Sequence, residues 1–253
     1  MSATRSVLVN SQLPCLSGLR IAMSVQGTGD PLLLLNGMTR PLQSWDPFVS
    51  ELHGRTVVSF DAPGVGGSPT PVRPLSVAEL AMLALSVLDA AGVAGADVLG
   101  FSHGGAVAQQ LAHDAPERVG GLILAATSCG VGATPGSGAD TLRHLGSSLD
   151  GKPWPLPDPL GLLWQSLAVS SWSSIPFLGS ILAPTLVVCG SRDSVVPPSN
   201  SRVLARRIPD ATLVMLAGRG HDLQRGDSAK ALARLVAGFS PAARASERLA
   251  TVG

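Results

Sequence analysis

A serine framed by glycines follows a short apolar run in this sequence. The segment Gly100-Phe101-Ser102-His103-Gly104 ends that run, and the residues after it have the pattern of a helix. This G-x-S-x-G spacing predicts a nucleophile elbow, a sharp strand-to-helix turn with a strained serine at its apex. Side chains at Gly100 or Gly104 would collide where strand and helix nearly touch. We therefore expect the Ser102 hydroxyl to be presented as a nucleophile.

A serine hydroxyl is a poor nucleophile near neutral pH, so Ser102 needs a general base within hydrogen-bond reach. His221 is the candidate, because it follows a late predicted strand and a glycine-rich turn. His103 is adjacent to the serine and is expected to point away with the helix. The remaining histidines precede the acid, lie on a helix surface or lie in an insertion: His53, His113 and His144.

A carboxylate must orient the base, and in chains with such an elbow it lies between the serine and the histidine in sequence. Asp193 is the candidate, because it follows the strand that precedes the strand of His221. Asp210 and Asp222 are rivals, the first in a turn at the opposite edge of its strand and the second next to the histidine in sequence. Asp61 ends another strand, where we expect it to bind the backbone of its own glycine-rich loop.

Acyl chemistry also needs two backbone N–H groups directed at the oxygen that becomes negative as the serine attacks. The residue after the nucleophile, His103, is expected to supply one of them. Met38, in the loop after Leu32–Leu35, is expected to supply the other. Each donor lowers the barrier by about 3 to 4 kcal/mol in enzymes of this kind.

Strands and helices alternate along most of the chain. This alternation predicts a mostly parallel sheet with helices on both faces, with ligands bound beyond the carboxyl ends of the strands. Besides the elbow, the predicted strands are Ser6–Asn10, Leu19–Gln26, Leu32–Leu35, Thr56–Phe60, Val119–Ala126, Thr185–Cys189 and Thr212–Leu216. The predicted helices are Trp45–Leu52 capped by Ser44, Val77–Ala91 with a Ser76/Glu79 capping box, Ser199–Arg207 and Ser228–Phe239.

Residues 130–183 interrupt the alternation and are rich in Gly, Ser and Pro. So long an insertion in a compact domain is typical of a lid or binding loop. We expect a short lid with a helix over Leu160–Val169, between core segments 1–129 and 184–240, and a disordered tail over 241–253. The pocket residues expected there are Trp154, Trp164 and Trp172; alternatively, these tryptophans only hold an irregular insertion on the core.

Composition excludes several classes of partner. The 253 residues are 45% hydrophobic and carry a net charge of +1, which argues against nucleic acid or an acidic membrane as a partner. The apolar run Leu32–Leu35 is far shorter than the roughly 20 residues that cross a bilayer. Three widely spaced cysteines suggest neither a disulfide framework nor a metal site, no cofactor is expected, and without a secretory signal we expect a cytoplasmic protein.

Several segments together carry a family resemblance. Leu-Asn-Gly-Met, Asp61-Ala-Pro-Gly-Val-Gly-Gly-Ser, Gly-Phe-Ser-His-Gly-Gly, Gly-Ser-Arg-Asp193 and Gly-His221 resemble the α/β-hydrolase superfamily over residues 32–236. Within it, the segments 108–118, 122–127, 172–175 and 204–209 are similar to the intracellular medium-chain poly(3-hydroxyalkanoate) depolymerases. The resemblance implies an α/β-hydrolase fold and serine ester hydrolysis, with the triad carried over to Ser102, Asp193 and His221.

Two departures from that family touch the acyl pocket. His103 stands where the family usually has a tryptophan, and the insertion is shorter than the family's lid. The expected substrate is therefore a small apolar ester, with a hydroxyalkanoate ester, a thioester and a lactone as candidates. The alternatives on the same triad are acyl transfer, C–C bond hydrolysis and cofactor-free perhydrolysis, and a further alternative is a binding protein without catalysis.

Overall fold

Eight strands form one sheet in the computed structural model, which describes residues 4–8, 16, 18–145 and 158–239. The strands are β1 (Arg5–Leu8), β2 (Arg20–Gln26), β3 (Asp30–Leu35), β4 (Arg55–Phe60), β5 (Ala96–Phe101), β6 (Val119–Ala125), β7 (Thr185–Gly190) and β8 (Ala211–Leu216). Their order across the sheet is β1-β2-β4-β3-β5-β6-β7-β8. Strands β3 to β8 run parallel, and β1 and β2 are antiparallel to their neighbours, which confirms the expected mostly parallel sheet.

Helices cover both faces of the sheet, as predicted. The helices of the described residues are α1 (Asp46–Val49), α2 (Val77–Ala90), α3 (His103–Asp114), α4 (Gly138–Leu145), α5 (Pro159–Ser170), α6 (Pro198–Arg207) and α7 (Gly226–Ala237). Apolar side chains of α2, α3 and α6 fill the core on one face, and those of α1 and α7 fill the core on the other. No helix in the described ranges combines the length and apolarity that a membrane crossing requires.

The continuous apolar run in β3 is explained by burial on both faces. Leu33 and Leu35 belong to the core beneath α2 and α3, whereas Leu32 and Leu34 belong to the core beneath α1 and α7. Side chains alternate between the faces of a strand, so a central strand needs apolar residues at every position. The uninterrupted run therefore places β3 in the interior of the sheet.

The capping residues read from the sequence predict the start of one helix correctly and the start of another incorrectly. Ser76 caps α2 in a capping box with Glu79, as predicted. The helix expected over Trp45–Leu52 is instead a 3-10 turn, Leu42–Trp45, followed by α1. Ser44 does not cap it; its hydroxyl accepts a hydrogen bond from Nδ2 of Asn36 at 2.7 Å. The Ser44 side chain, which the local pattern assigned to a helix cap, is thus used in a contact with the loop after β3.

Two helices occupy the described part of the segment between β6 and β7. Helix α5 matches the helix predicted for the insertion, whereas α4 was not predicted. Ser137 donates its backbone N–H to Ser194 O at 2.7 Å, so the start of α4 lies against the loop that follows β7. Trp154 and the tail 241–253, for which we made predictions, lie outside the described residues.

Candidate active site

The turn between β5 and α3 has the geometry of a nucleophile elbow. Ser102 has φ 52° and ψ −116°, a conformation that a non-glycine residue adopts only under strain. A Cβ on Gly104 would lie 2.2 Å from Leu35 O, and one on Gly100 would lie 2.5 Å from Gly104 O. Both positions therefore require glycine, for the steric reason expected from the sequence.

Ser102, His221 and Asp193 form a continuous line of hydrogen bonds. Nε2 of His221 lies 3.1 Å from Oγ of Ser102, and Nδ1 of His221 lies 2.8 Å from Oδ2 of Asp193. The Asp193 side chain is fully buried, and its other oxygen, Oδ1, accepts from the backbone N–H groups of Val195 and Val196 at 3.0 and 2.8 Å. The carboxylate is thus held in one orientation with a single oxygen directed at the imidazole.

The loops after β7 and β8 approach each other closely enough to bring Asp193 to His221. A Cβ on Gly190 would lie 2.3 Å from the carbonyl oxygens of both Arg219 and Gly220. The Arg192 N–H donates to Arg219 O at 2.8 Å. Glycine at the end of β7 therefore permits the contact that joins the two loops.

The other aspartates considered from the sequence have different partners. Asp61 accepts from the backbone N–H groups of Leu42 at 2.6 Å and Gly67 at 2.8 Å, and burial raises the pKa of its carboxyl. Asp61 therefore binds the backbone of its own glycine-rich loop, as predicted. It also joins that loop to the segment after β3. Asp222 pairs with Arg225 Nε at 3.0 Å. Asp210 O accepts from Thr185 N at the start of β7, the edge of the sheet remote from Ser102.

The loop after β3 brings Met38 to the serine. Asn36 organises this loop, since its Oδ1 accepts from Gly37 N at 2.9 Å and its Nδ2 donates to Pro41 O at 2.8 Å. Met38 and His103 both line the pocket in which Ser102 lies. His103 is the first residue of α3, where a backbone N–H has no partner within the helix. The two residues predicted as amide donors therefore lie beside the nucleophile.

The His103 side chain does not point away from the site. Its imidazole is buried, lines the pocket and is hydrogen-bonded to the backbone of Gln165 in α5. Burial lowers the pKa of His103 to about 4, against the opposing effect of that hydrogen bond. The expectation of an outward-pointing ring was wrong, because α5 packs over the start of α3 and encloses the side chain.

His144, which the sequence analysis assigned to the insertion, lies against His221. The two ring centroids are 4.6 Å apart. Burial, followed by the proximity of His221 and Arg40, lowers the pKa of His144 to about 3, so its ring is neutral at physiological pH. Nothing in the local sequence of α4 indicates this position, which depends on the path of the chain from β6 over the site.

A pocket of about 220 Å³ opens beside Ser102. Trp172 belongs to its wall, and the Trp172 indole N–H donates to Gln110 Oε1 at 2.8 Å. Trp164 is not among the lining residues; its indole N–H donates to Pro71 O at 3.0 Å and so joins α5 to the loop after β4. The apolar part of the wall consists of Met38, Ala106, Leu145, Val169, Trp172, Val195 and Val196.

Comparison with known proteins places this chain in a family. The family model described as alpha/beta hydrolase fold matches residues 30–154 and 155–225. The poly(3-hydroxyalkanoate) depolymerase of Ectopseudomonas oleovorans is 38% identical over 212 residues, 72% of this chain and 75% of that protein. The 2-hydroxy-6-oxononadienedioate/2-hydroxy-6-oxononatrienedioate hydrolase of Comamonas testosteroni is 30% identical, over 94% of this chain and 96% of that protein.

A solved structure agrees at the level of the fold. The enol-lactonase of Burkholderia xenovorans LB400 superposes with a TM-score of 0.80 at 22% identity, covering 93% of this chain and 99% of that chain. The two relatives described above are hydrolases, which confirms the expectation of an enzyme of the ester-hydrolase class. The matched ranges include Ser102, Asp193 and His221 as well as most of the sheet, and the chain belongs to the α/β-hydrolase family.

Proposed function

We propose that the protein hydrolyses an apolar carboxylic ester through a Ser102–His221–Asp193 triad and an acyl-enzyme. The observation that carries the proposal is the line of hydrogen bonds from Asp193 Oδ2 through His221 to Ser102 Oγ, with distances of 2.8 and 3.1 Å. A serine, an imidazole and a carboxylate in this order are the groups that acyl transfer from an ester requires.

The first half of the reaction forms the acyl-enzyme. Ser102 Oγ attacks the ester carbonyl carbon while Nε2 of His221 takes the hydroxyl proton. Asp193 keeps the other ring proton on Nδ1 and stabilises the imidazolium. His221 then gives its proton to the leaving alcohol, and the acyl group remains on Ser102.

The second half releases the acid. His221 removes a proton from water, the hydroxide attacks the acyl carbon, and the proton returns to Ser102 Oγ as the carboxylic acid leaves. In both halves the carbonyl oxygen becomes negative. We assign its stabilisation to the backbone N–H groups of Met38, in the loop after β3, and of His103, the first residue of α3.

The walls of the pocket favour an apolar acyl group. Seven of its fifteen lining residues have apolar side chains, and its volume is about 220 Å³. Helices α4 and α5 contribute Leu145 and Val169 to the wall, so we assign residues 130–183 the role of a short lid. Similarity to the depolymerase makes a hydroxyalkanoate ester the first substrate to test, beside thioesters and lactones.

Hydrolysis of a carbon–carbon bond next to a carbonyl is the second candidate. It is supported by similarity over 94% of the chain to the 2-hydroxy-6-oxononadienedioate/2-hydroxy-6-oxononatrienedioate hydrolase. Acyl transfer and perhydrolysis use the same acyl-enzyme with a different acceptor, so product analysis with added alcohol or peroxide distinguishes them from hydrolysis.

A chain-length series of p-nitrophenyl esters, acyl thioesters and lactones tests the proposal on the purified protein. We expect Ser102→Ala to lower kcat by about 10⁶-fold, as in other triads. A fluorophosphonate should label Ser102 in the wild type and leave the variant unlabelled. Retained turnover by Ser102→Ala, or the absence of labelling in the wild type, would contradict the proposal.

A further inference from the structure

Helix α5 contacts both residues to which we assign the oxyanion-binding amides. Oε1 of Gln165 accepts from the backbone N–H of Thr39, the residue after Met38, at 2.9 Å. The next residue, Ser166, places its Oγ 3.7 Å from Sδ of Met38. The backbone of Gln165 is hydrogen-bonded to the imidazole of His103. One turn of one helix therefore joins the loop after β3 to the start of α3.

The direction of the hydrogen bond between His103 and the Gln165 backbone follows from its effect on the pKa of the imidazole. The hydrogen bond raises the pKa of the imidazole, so the ring is the donor and the Gln165 carbonyl is the acceptor. Because the pKa is held near 4, the ring is neutral at physiological pH.

The loop that Gln165 contacts is strained. Thr39 has φ 59°, in the left-handed region that β-branched residues rarely adopt. Such a conformation costs about 1 to 3 kcal/mol and persists only where surrounding contacts impose it. The hydrogen bond from Thr39 N to the buried Gln165 side chain is such a contact, and it fixes the peptide that follows Met38.

We propose that Gln165 is a positioning residue that couples the docking of α5 to the alignment of the two oxyanion-binding amides. With α5 docked, its side chain holds the Met38 loop and its carbonyl holds His103, so both amides face the same point. A substrate that displaces α5 loses transition-state stabilisation and is turned over with a lower kcat. The inference rests on the proposed function, since it concerns the same oxyanion.

A role in holding the lid alone would make a different prediction. The N-terminal end of α5 is held separately by a hydrogen bond from Thr70 Oγ1 to Asp158 Oδ2, about two helical turns before Gln165. Thr70→Val removes this contact with little change in volume. If Gln165 only holds the helix, its replacement and Thr70→Val should have similar effects on kcat and KM.

The test compares Gln165→Met, Gln165→Glu and Thr70→Val in the full-length protein. Gln165→Met keeps the length of the side chain but removes the acceptor for Thr39, whereas Gln165→Glu retains an oxygen acceptor. The measurements are kcat and KM for a p-nitrophenyl ester and the inhibition constant of an acyl trifluoromethyl ketone. That ketone forms a hemiketal on Ser102 whose oxyanion needs the same amides.

We expect Gln165→Met to lower kcat and ketone affinity in parallel, on the order of tenfold to a hundredfold, with KM changed less than about twofold. Gln165→Glu should retain most of the wild-type kcat and most of the ketone affinity. Thr70→Val should preserve ketone affinity. A rise in KM alone, or wild-type ketone affinity in Gln165→Met, would overturn the proposal. Should Gln165→Met fail to fold, Gln165→Asn, which draws the amide away from Thr39, takes its place under the same criteria.

Ser102→Ala separates this proposal from the proposed function. If Ser102→Ala is inactive while the Gln165 variants have wild-type kcat, the coupling is refuted and the hydrolase assignment stands. If Ser102→Ala retains turnover, the assignment of the nucleophile fails, and the role of Gln165 fails with it.

Discussion

The imidazole of His144 packs edge-on against that of His221, with ring centroids 4.6 Å apart and ring planes at 82°. Phe101 contacts the His221 ring as well, with centroids 5.2 Å apart. Nη2 of Arg40 donates to the backbone carbonyl of His144 at 3.1 Å and holds the end of α4 in place. The orientation of His221 is therefore restricted by packing as well as by its hydrogen bond to Asp193.

Loss of the His144 ring should loosen His221. We expect His144→Ala to lower kcat on the order of tenfold, because small displacements of catalytic groups are costly, whereas His144→Phe should keep most of the activity. Steady-state kinetics with a p-nitrophenyl ester measures this, and circular dichroism checks the fold. Equal kcat values for His144→Ala and the wild type would show that the ring contact has no role in turnover.

Asp193→Asn should inactivate the enzyme by changing the tautomer of His221. The backbone N–H groups of Val195 and Val196 fix an oxygen at the Oδ1 position, so the new NH₂ group must face Nδ1 of His221. The ring would then carry its proton on Nε2 and could not accept one from Ser102. We expect kcat to fall about 10⁴-fold, as for the equivalent change in other triads.

The matched control for this change is Asp210→Asn, since Asp210 directly precedes β8, at the edge of the sheet remote from Ser102. It should keep wild-type kcat in the same assay. Activity of Asp193→Asn within tenfold of the wild type would count against Asp193 as the orienting carboxylate.

Gly161→Ala tests whether the close packing of α5 matters for activity. A Cβ at Gly161 would lie 2.5 Å from Gly64 O and 3.0 Å from Gly64 Cα, so α5 must move away from the loop after β4. A displacement near 1 Å can lower turnover up to about 100-fold. Gly179→Ala is the control in the same insertion, because its Cβ would meet no atom within 4 Å.

The two variants should differ in kcat while both stay folded. Thermal unfolding measured with the kinetics separates displacement of the helix from loss of structure. Wild-type kcat in Gly161→Ala would show that turnover does not depend on how closely α5 packs.

Stability should fall in mild acid because His103 is buried without charge. Burial lowers its pKa from 6.5 to about 4, so between these pH values the unfolded chain binds a proton that the folded chain does not. The free energy of unfolding therefore decreases as pH falls from 6.5 toward 4, by about 3 kcal/mol from this group. Full stability from this group is present above pH 6.5.

His103→Phe removes this contribution. Urea unfolding at pH 7, 5.5 and 4.5 should show a shallower loss of stability in His103→Phe than in the wild type. His144 has a lowered pKa and the same sign of effect, but it is present in both proteins and so does not affect the comparison. If the free energy of unfolding depended on pH in the same way in both proteins, the expected effect of burying His103 would be contradicted.

Features that depend on a few neighbouring residues were predictable from the sequence. The glycines around Ser102 encode the elbow because only glycine avoids backbone collisions there. The Ser76/Glu79 pair encodes the start of α2 because both hydrogen bonds are local. Alternation of apolar strands and amphipathic helices encodes the parallel sheet, and the position of Asp193 and His221 after successive strands then brings them to one edge of it.

Features that depend on contacts between distant segments were not predictable. The sequence of α4 contains no sign that it lies against the loop after β7, where Ser137 N donates to Ser194 O. For the same reason, the contact of His144 with His221 could not be foreseen.

The sequence by itself determined the fold class, the elbow and the order of the candidate triad, because each follows from local sterics or from the order of strands. The tertiary structure alone decided what surrounds those residues. Gln165 meets Thr39 across 126 positions of sequence, and no pattern within either segment specifies that hydrogen bond. The packing of the insertion over the core selects it, because only the folded chain brings Oε1 of Gln165 to the backbone N–H of Thr39.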